Sequence, residues 1–208
     1  MLPPILQQGA PRNLSRESLN TEAVKNTLRE ARESLRQRYQ ETGNGAALLL
    51  GHCRLVDEIL RQVWQGMGMH HSLALLAVGG YGRHQLFPYS DIDLLVLLPQ
   101  AKREGVELDG AIARGLEQWV RLLWDIGLEI GHSVRSLDQC AEEAAKDITV
   151  QTSLLEARQL SGNKDCSRNF SVTSQAASIQ ALFLTPSCSS KSSAMSGIMT
   201  RRTTSSPI

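Results

Sequence analysis

The sequence predicts an α+β domain, in which a few short strands are flanked by helices. Three observations lead to this prediction. Amphipathic segments of helical period come first, two short apolar runs follow them, and further helical segments come after the runs. Helices, strands and helices in this order are typical of a mixed α/β or α+β domain.

Two helices are predicted before the first strand. The first spans residues 20–41, where Asn20 or Thr21 can cap the start and Gly43 follows the end. Its apolar side chains recur at steps of three and four, at Val24, Leu28, Ala31, Leu35 and Tyr39. The second helix spans residues 46–64, and its apolar side is formed by Leu48, Leu49, Val56, Ile59, Leu60 and Val63. Charged residues between these positions indicate solvent-exposed faces.

The strands are predicted from short apolar runs. Residues 73–78 are uncharged and end at Gly79, and residues 92–98 end at Pro99, as is typical of buried strands. Residues 110–125 have helical spacing, and residues 127–135 are consistent with a third strand. Helices are predicted again over residues 138–145 and 147–160.

Composition restricts the class of protein. No stretch approaches roughly 18 uncharged apolar residues, so no membrane span is expected. Residues 1–8 lack the basic start and the long apolar run of a secretion signal. The 4 cysteines are widely spaced without a CxxC pair, which predicts neither a disulfide framework nor a zinc site, and a reducing cytoplasm is the expected compartment. The net charge of +1 argues against a protein that coats nucleic acid.

The chain changes character near residue 163. Residues 1–163 hold 17 Lys and Arg and 20 Asp and Glu, whereas residues 164–208 hold 5 basic residues and 1 acid. The last 45 residues also carry 12 Ser and 5 Thr, without a sustained helical or strand period. Such a segment buries too little apolar surface to offset its ordering entropy, so disorder is predicted. The predicted organisation is a helical segment over 1–65, a domain over 66–163 and a tail over 164–208.

Glycines follow the first predicted strand. Gly79, Gly80 and Gly82 allow the backbone to approach a ligand closely and to adopt positive φ. Backbone N–H groups in such a loop can bind phosphate oxygens, and Arg83 adds a cation whose fork geometry suits phosphate. No Gly-Lys-Ser/Thr follows, so the loop is not a P-loop. A plain tight turn is the alternative interpretation of these glycines.

Two carboxylates begin the second predicted strand. Asp91 and Asp93 lie two positions apart, so their side chains point to one face, about 7 Å apart at Cα. Flanked by apolar residues, the two carboxylates repel each other unless a cation neutralises them. Mg²⁺ prefers oxygen ligands and suits this pair. A glycine loop followed by such a pair predicts metal-assisted phosphoryl or nucleotidyl transfer, and two solvated aspartates at a strand end are the alternative.

A third carboxylate usually helps to hold a second metal ion in such a site. Glu129, on the third candidate strand, is the first choice, and a surface strand residue is its alternative interpretation. The weaker candidates are Asp125, Asp147 and Glu156.

These motifs resemble a known family. The string Gly79-Gly80-Tyr81-Gly82-Arg83 with Ser90-Asp91-Ile92-Asp93-Leu94 resembles the nucleotidyltransferase superfamily that includes DNA polymerase β. Three longer blocks, residues 75–99, 124–140 and 147–163, resemble the bifunctional uridylyltransferase/uridylyl-removing enzymes that act on PII nitrogen-signalling proteins. The resemblance covers about residues 14–163 and implies a polymerase-β-like core with a short mixed sheet.

The resemblance also implies a reaction and its participants. UTP and a tyrosine hydroxyl of a PII protein would give uridylyl-PII and pyrophosphate, with Mg²⁺ as cofactor and glutamine as the regulator. The candidate nucleotide- or phosphate-binding residues are Gly79, Gly80, Gly82, Arg83 and Ser90. The candidate catalytic residues and metal ligands are Asp91 and Asp93, with Glu129 as the third ligand. Neither nucleic acid nor a membrane is an expected partner.

The tail departs from the family pattern. If codons for the tail are inferred from its amino acids and then read one base earlier, they can encode residues like those that follow at this point in the family. This predicts a frameshift near Asn163 and Lys164. A natural Ser-rich tail is the alternative. With a frameshift, the nucleotidyltransferase domain over 66–163 is incomplete, the family's phosphohydrolase and regulatory domains are absent, and weak activity is expected. Two other functions stay open: a non-catalytic remnant or nucleotide-binding module, and, less favoured by these motifs, nucleotidyl transfer to a small molecule.

Overall fold

The computed structural model describes residues 21–69, 71–99 and 110–170. Expectations for residues 1–20, for residue 70, for residues 100–109 and for the tail beyond residue 170 lie outside this described part. The elements in chain order are α1 Thr21–Thr42, α2 Gly45–Gly66, β1 Ala74–Ala77, α3 Gly79–Gly82, β2 Ile92–Leu97, α4 Gly110–Ile126, β3 Ile130–Arg135, α5 Leu137–Lys146, α6 Ile148–Leu155 and β4 Arg158–Gly162. The α+β prediction is confirmed.

The four strands form one mixed sheet in the order β3-β2-β1-β4. β1 pairs antiparallel with β2 and with β4, whereas β2 pairs parallel with β3. β1 therefore lies inside the sheet, and all four of its residues are buried. This burial explains why its sequence is a continuous apolar run rather than an alternating one.

The sheet separates two apolar clusters. One cluster lies against α1, α2 and α4 and contains the edge-to-face pair Trp64 and Trp119, whose ring centroids are 5.3 Å apart. The other lies against α5 and α6 and contains Leu95 and Leu97 of β2. Helices on both faces thus hold β2 in place, which fixes the position of the residues at its start.

Two helices begin at caps that their sequences encode. The Asn44 side chain accepts a hydrogen bond from the N–H of Ala47 at the start of α2. At α5, Ser136 and Gln139 form a reciprocal capping box. No helix among the described residues is long and apolar enough to cross a membrane.

Two sequence predictions for residues 147–170 need correction. The helix predicted over 147–160 ends at Leu155, and residues 158–162 instead form β4, because the open edge of β1 offers backbone hydrogen bonds there. Disorder from residue 164 is also wrong for the first seven tail residues, since 164–170 are helical. Phe170 is 3% exposed in the second apolar cluster, and the thiol of Cys166 donates to the carbonyl of Ser72.

Candidate functional site

The predicted carboxylates lie together at one edge of the sheet. In the β2–β3 register Asp93 is opposite Gly131, and the N–H of Ile92 donates to the carbonyl of Glu129 at 2.9 Å. Neighbouring residues of paired strands share a face, so Asp91, Asp93 and Glu129 belong to the face that carries Leu95 further along β2. A cavity of about 520 Å³ is lined by Asp91, Trp124, Gly127, Leu128, Glu129, Ile130 and Gly131.

Two glycines flank the carboxylate of Asp93. A Cβ added at Gly131 would lie 3.0 Å from Asp93 Oδ1, and one added at Gly79 would lie 3.6 Å from Asp93 Oδ2. Burial, together with the nearby charge of Asp91, raises the pKa of Asp93 above its ordinary value. The exposed carboxylate therefore lies between two residues that lack side chains, and its negative charge is poorly compensated there.

The donor set at this edge fits a hard divalent cation. It consists of carboxylate oxygens, and a cation beside Asp93 would offset the burial and the repulsion from Asp91 that raise its pKa. Within the described residues, however, no three His, Cys, Asp or Glu side chains are close enough together to hold a metal ion. Glu129 therefore shares the face with the two aspartates without forming a preassembled ligand cluster.

The predicted glycine loop folds as the short helix α3. Gly79 has φ of +58°, a conformation that a side chain would strain, and the N–H of Val78 donates to the carbonyl of Asp93 at 3.1 Å. A Cβ at Gly79 would also lie 3.4 Å from the hydroxyl oxygen of Ser153. The loop thus lies beside the carboxylates, as the sequence predicts, with α6 on its other side.

The two polar side chains predicted to accompany the loop are engaged elsewhere. Arg83 forms an ion pair with Glu156 and donates from Nε to the side-chain oxygen of Gln85 at 3.1 Å. The hydroxyl of Ser90 donates to the carbonyl of Phe87 at 2.8 Å, which closes the turn before Asp91. Glu156, a weaker candidate for metal binding, therefore serves as the partner of Arg83 in this structure.

A buried cluster behind α3 was not predicted from the sequence. Asp57 of α2 is 4% exposed and accepts hydrogen bonds from the Tyr81 hydroxyl at 2.6 Å and from both terminal nitrogens of Arg158 at 2.7 and 3.0 Å. Burial and the charge of Asp57 raise the pKa of Tyr81, so its hydroxyl stays protonated and donates. One feature of the sequence could have indicated this cluster: Asp57 is an acid on the apolar side of α2, between Cys53 and Leu60.

Comparisons with known proteins find sequences similar to this chain. A family model described as a nucleotidyltransferase domain matches residues 54–149. The bifunctional uridylyltransferase/uridylyl-removing enzyme of Nitrosospira multiformis is 61% identical over 154 residues, which cover 74% of this chain and 17% of that enzyme. The enzyme of the same name from Burkholderia lata is 46% identical over 142 residues, which cover 68% of this chain and 16% of the relative.

The chain therefore spans about a sixth of the length of these curated relatives. Among solved structures, a toxin–antitoxin chain crystallised with AMP-PNP matches 61% of this chain and 87% of its own length, with 19% identity and a TM-score of 0.36. A likeness at that level carries no conclusion about the site.

Proposed function

We propose, since the chain is homologous to the nucleotidyltransferase region of the bifunctional uridylyltransferase/uridylyl-removing enzymes, that it binds a magnesium nucleoside triphosphate at the Asp91–Asp93 edge. The observation that carries this proposal is the position of the exposed Asp93 carboxylate, which lies between Gly79 of α3 and Gly131 of β3. Phosphate and metal would thus meet at one edge of the sheet.

The residues divide into two groups in this proposal. Asp91 and Asp93 hold Mg²⁺, and Glu129 on the same face is the third candidate ligand. Backbone groups of Gly79 and Gly80 approach the triphosphate, while Arg83 and Ser90 flank it. Gly82, the third glycine of the motif, is buried and its N–H donates to the carbonyl of Val78, so its role is to pack α3 closely. When bound, the metal supplies positive charge that stabilises the pyrophosphate leaving group.

The relatives favour one nucleotide and one acceptor. Uridylyl transfer would join a tyrosine oxygen of a PII protein to the α-phosphorus of UTP and break the bond to the β-phosphate, releasing pyrophosphate. The uridylyl group is named in the relatives' descriptions, whereas the PII acceptor comes from the resemblance alone. A nucleotide-binding module without transfer is the second candidate, favoured by the missing three-ligand cluster among the described residues.

Replacing both aspartates tests the proposal. Asp91→Asn with Asp93→Asn should abolish the Mg²⁺-dependent part of UTP binding, a loss of about tenfold or more in affinity, because amides cannot neutralise the cation. Calorimetric titration of the full chain with UTP, with and without Mg²⁺, measures it. Asp138→Asn, an exposed acid in the first turn of α5, is the control.

Unchanged Mg²⁺-dependent binding in the double variant would overturn the proposed site. Thermal melting should show the variant at least as stable as the parent, because it removes two repelling carboxylates. Labelling of PII from α-³²P-UTP then separates the two candidates: transfer supports the enzyme, and binding without transfer supports the module.

Glu129→Gln tests the third ligand. We expect an affinity for Mg-UTP intermediate between that of the parent and that of the double aspartate variant, since Glu129 shares the face but only adjoins Asp91. The same titration measures the change, and Asp125→Asn, at the exposed end of α4, provides the comparison. A larger loss in Asp125→Asn than in Glu129→Gln would reverse the assignment.

A further inference from the structure

The buried cluster around Asp57 connects three elements that are distant in the sequence. Arg158 belongs to β4, Asp57 to α2 and Tyr81 to α3, and Asp57 and Arg158 are 101 positions apart. Arg61, one turn further along α2, approaches Asp57 at 3.4 Å and donates from Nε to the carbonyl of Leu160 at 3.1 Å. The cluster is thus the point at which α2, α3 and β4 are joined by polar contacts.

Arg158 contacts the glycine loop directly as well as through Tyr81. Its guanidinium donates to the backbone carbonyl of Gly82 at 3.4 Å and to that of Tyr81 at 3.5 Å, and it lies 5.4 Å from the centroid of the Tyr81 ring. Its other bonds reach both oxygens of the Asp57 carboxylate. The rigid guanidinium fork therefore couples the orientation of two loop peptides to a fixed, buried carboxylate.

A buried ion pair contributes little net stability, so stability alone does not explain the pair of Asp57 and Arg158. Desolvation offsets much of the attraction between buried charges, and apolar residues of similar volume often serve stability equally well. Such pairs are better suited to fixing one geometry. Here the fixed geometry is that of the segment Gly80–Gly82 of α3, whose glycines restrain the backbone less than residues with side chains do.

We propose that Asp57 and Arg158 are positioning residues, which hold the glycine loop in the conformation that binds the triphosphate. This inference rests on the proposed nucleotide site and adds two residues that never touch the ligand. Asp57 orients Arg158 through both carboxylate oxygens, and Arg158 holds the carbonyls of Tyr81 and Gly82. Loosening either contact releases the loop while leaving the Asp91 and Asp93 carboxylates in place.

The test is Arg158→Lys, which keeps the charge but loses the fork. We expect the full chain to bind Mg-UTP and magnesium inorganic triphosphate about tenfold more weakly. Binding of Mn²⁺ alone, followed by its electron paramagnetic resonance signal, should stay within about twofold of the parent. All titrations are made well below the melting temperature of each variant, so that the folded fraction is the same.

Arg61→Lys is the matched control. Arg61 also contacts Asp57 and β4, but its bonds reach Leu160 rather than the loop. Arg61→Lys should lower the melting temperature without changing the affinity for Mg-UTP. Tyr81→Phe supplies a milder second variant, which removes only the hydroxyl bond to Asp57 and should weaken Mg-UTP binding less than Arg158→Lys does.

The outcomes separate this inference from the proposed function. Equal affinity of the parent and Arg158→Lys for Mg-UTP would overturn the positioning role, as would equal losses in Arg158→Lys and Arg61→Lys. A parallel loss of Mn²⁺ binding would also overturn it, because it indicates general disorder of the site. A parent chain that binds no Mg-UTP contradicts the proposed function itself, before any variant is compared.

Discussion

Replacement of Gly82 with alanine should strongly lower the free energy of unfolding of the chain. An added Cβ there would overlap the carbonyl oxygen of Glu156 and would lie 3.1 Å from that of Ala77. Both are backbone atoms, so no side chain can rotate away to relieve the overlap. Forced overpacking of this kind costs about 3 kcal/mol, a large part of the stability of an ordinary domain.

Chemical denaturation followed by circular dichroism measures this loss, and Gly80→Ala is the matched control. Two positions earlier in the same short helix, an added Cβ meets its nearest backbone atom, the carbonyl oxygen of Gln85, at an ordinary 3.5 Å. Gly80→Ala should therefore fold with a free energy of unfolding within about 1 kcal/mol of the parent. Equal stability of the two variants would contradict the close packing of α3 against Glu156.

The second large effect is expected at Gly131, and it should be on binding rather than on stability. An added Cβ lies 3.0 Å from Asp93 Oδ1, the end of a side chain that can rotate. The carboxylate should therefore rotate away from its present position at little cost to folding. We expect Gly131→Ala to weaken the Mg²⁺-dependent binding of UTP about tenfold or more, with a free energy of unfolding within about 1 kcal/mol of the parent.

Gly115→Ala is the control for this prediction. A Cβ at Gly115 has no atom within 4 Å and lies in the interior of α4, so alanine should stabilise the chain by about 0.5–1 kcal/mol. Its affinity for Mg-UTP should equal that of the parent. Unaltered Mg-UTP binding in Gly131→Ala would show that the position of Asp93 is not decisive, and it would weaken the proposed metal site.

Two strands could be predicted from the sequence because their burial imposes a largely apolar run. β1 and β2 are of this kind, since helices cover both faces of the sheet. β4 is different, because Arg158, Gln159 and Ser161 give it a polar, partly exposed edge. Its conformation is set by backbone pairing with β1, which lies far away in the sequence, and no local period reports that pairing.

The same contrast holds for the site. Asp91 and Asp93 are two positions apart at the start of β2, so local extended geometry predicts that they share a face. The role of Gly131 depends on the parallel register of β2 and β3, and the burial of Asp57 depends on a partner 101 residues away. Neither relationship leaves a pattern in a short window.

The central position of β1 also governs the order of assembly during synthesis. β1 must wait for β4, whose first residue follows Ala77 by more than 80 positions. At a translation rate of about 5–20 residues per second, this delay is roughly 4–16 s. During that interval the most apolar strand has an unpaired edge, which invites pairing with other chains. The pairing of β4, which carries Arg158, with β1 thus covers this strand edge late in synthesis and removes a site at which nascent chains could aggregate.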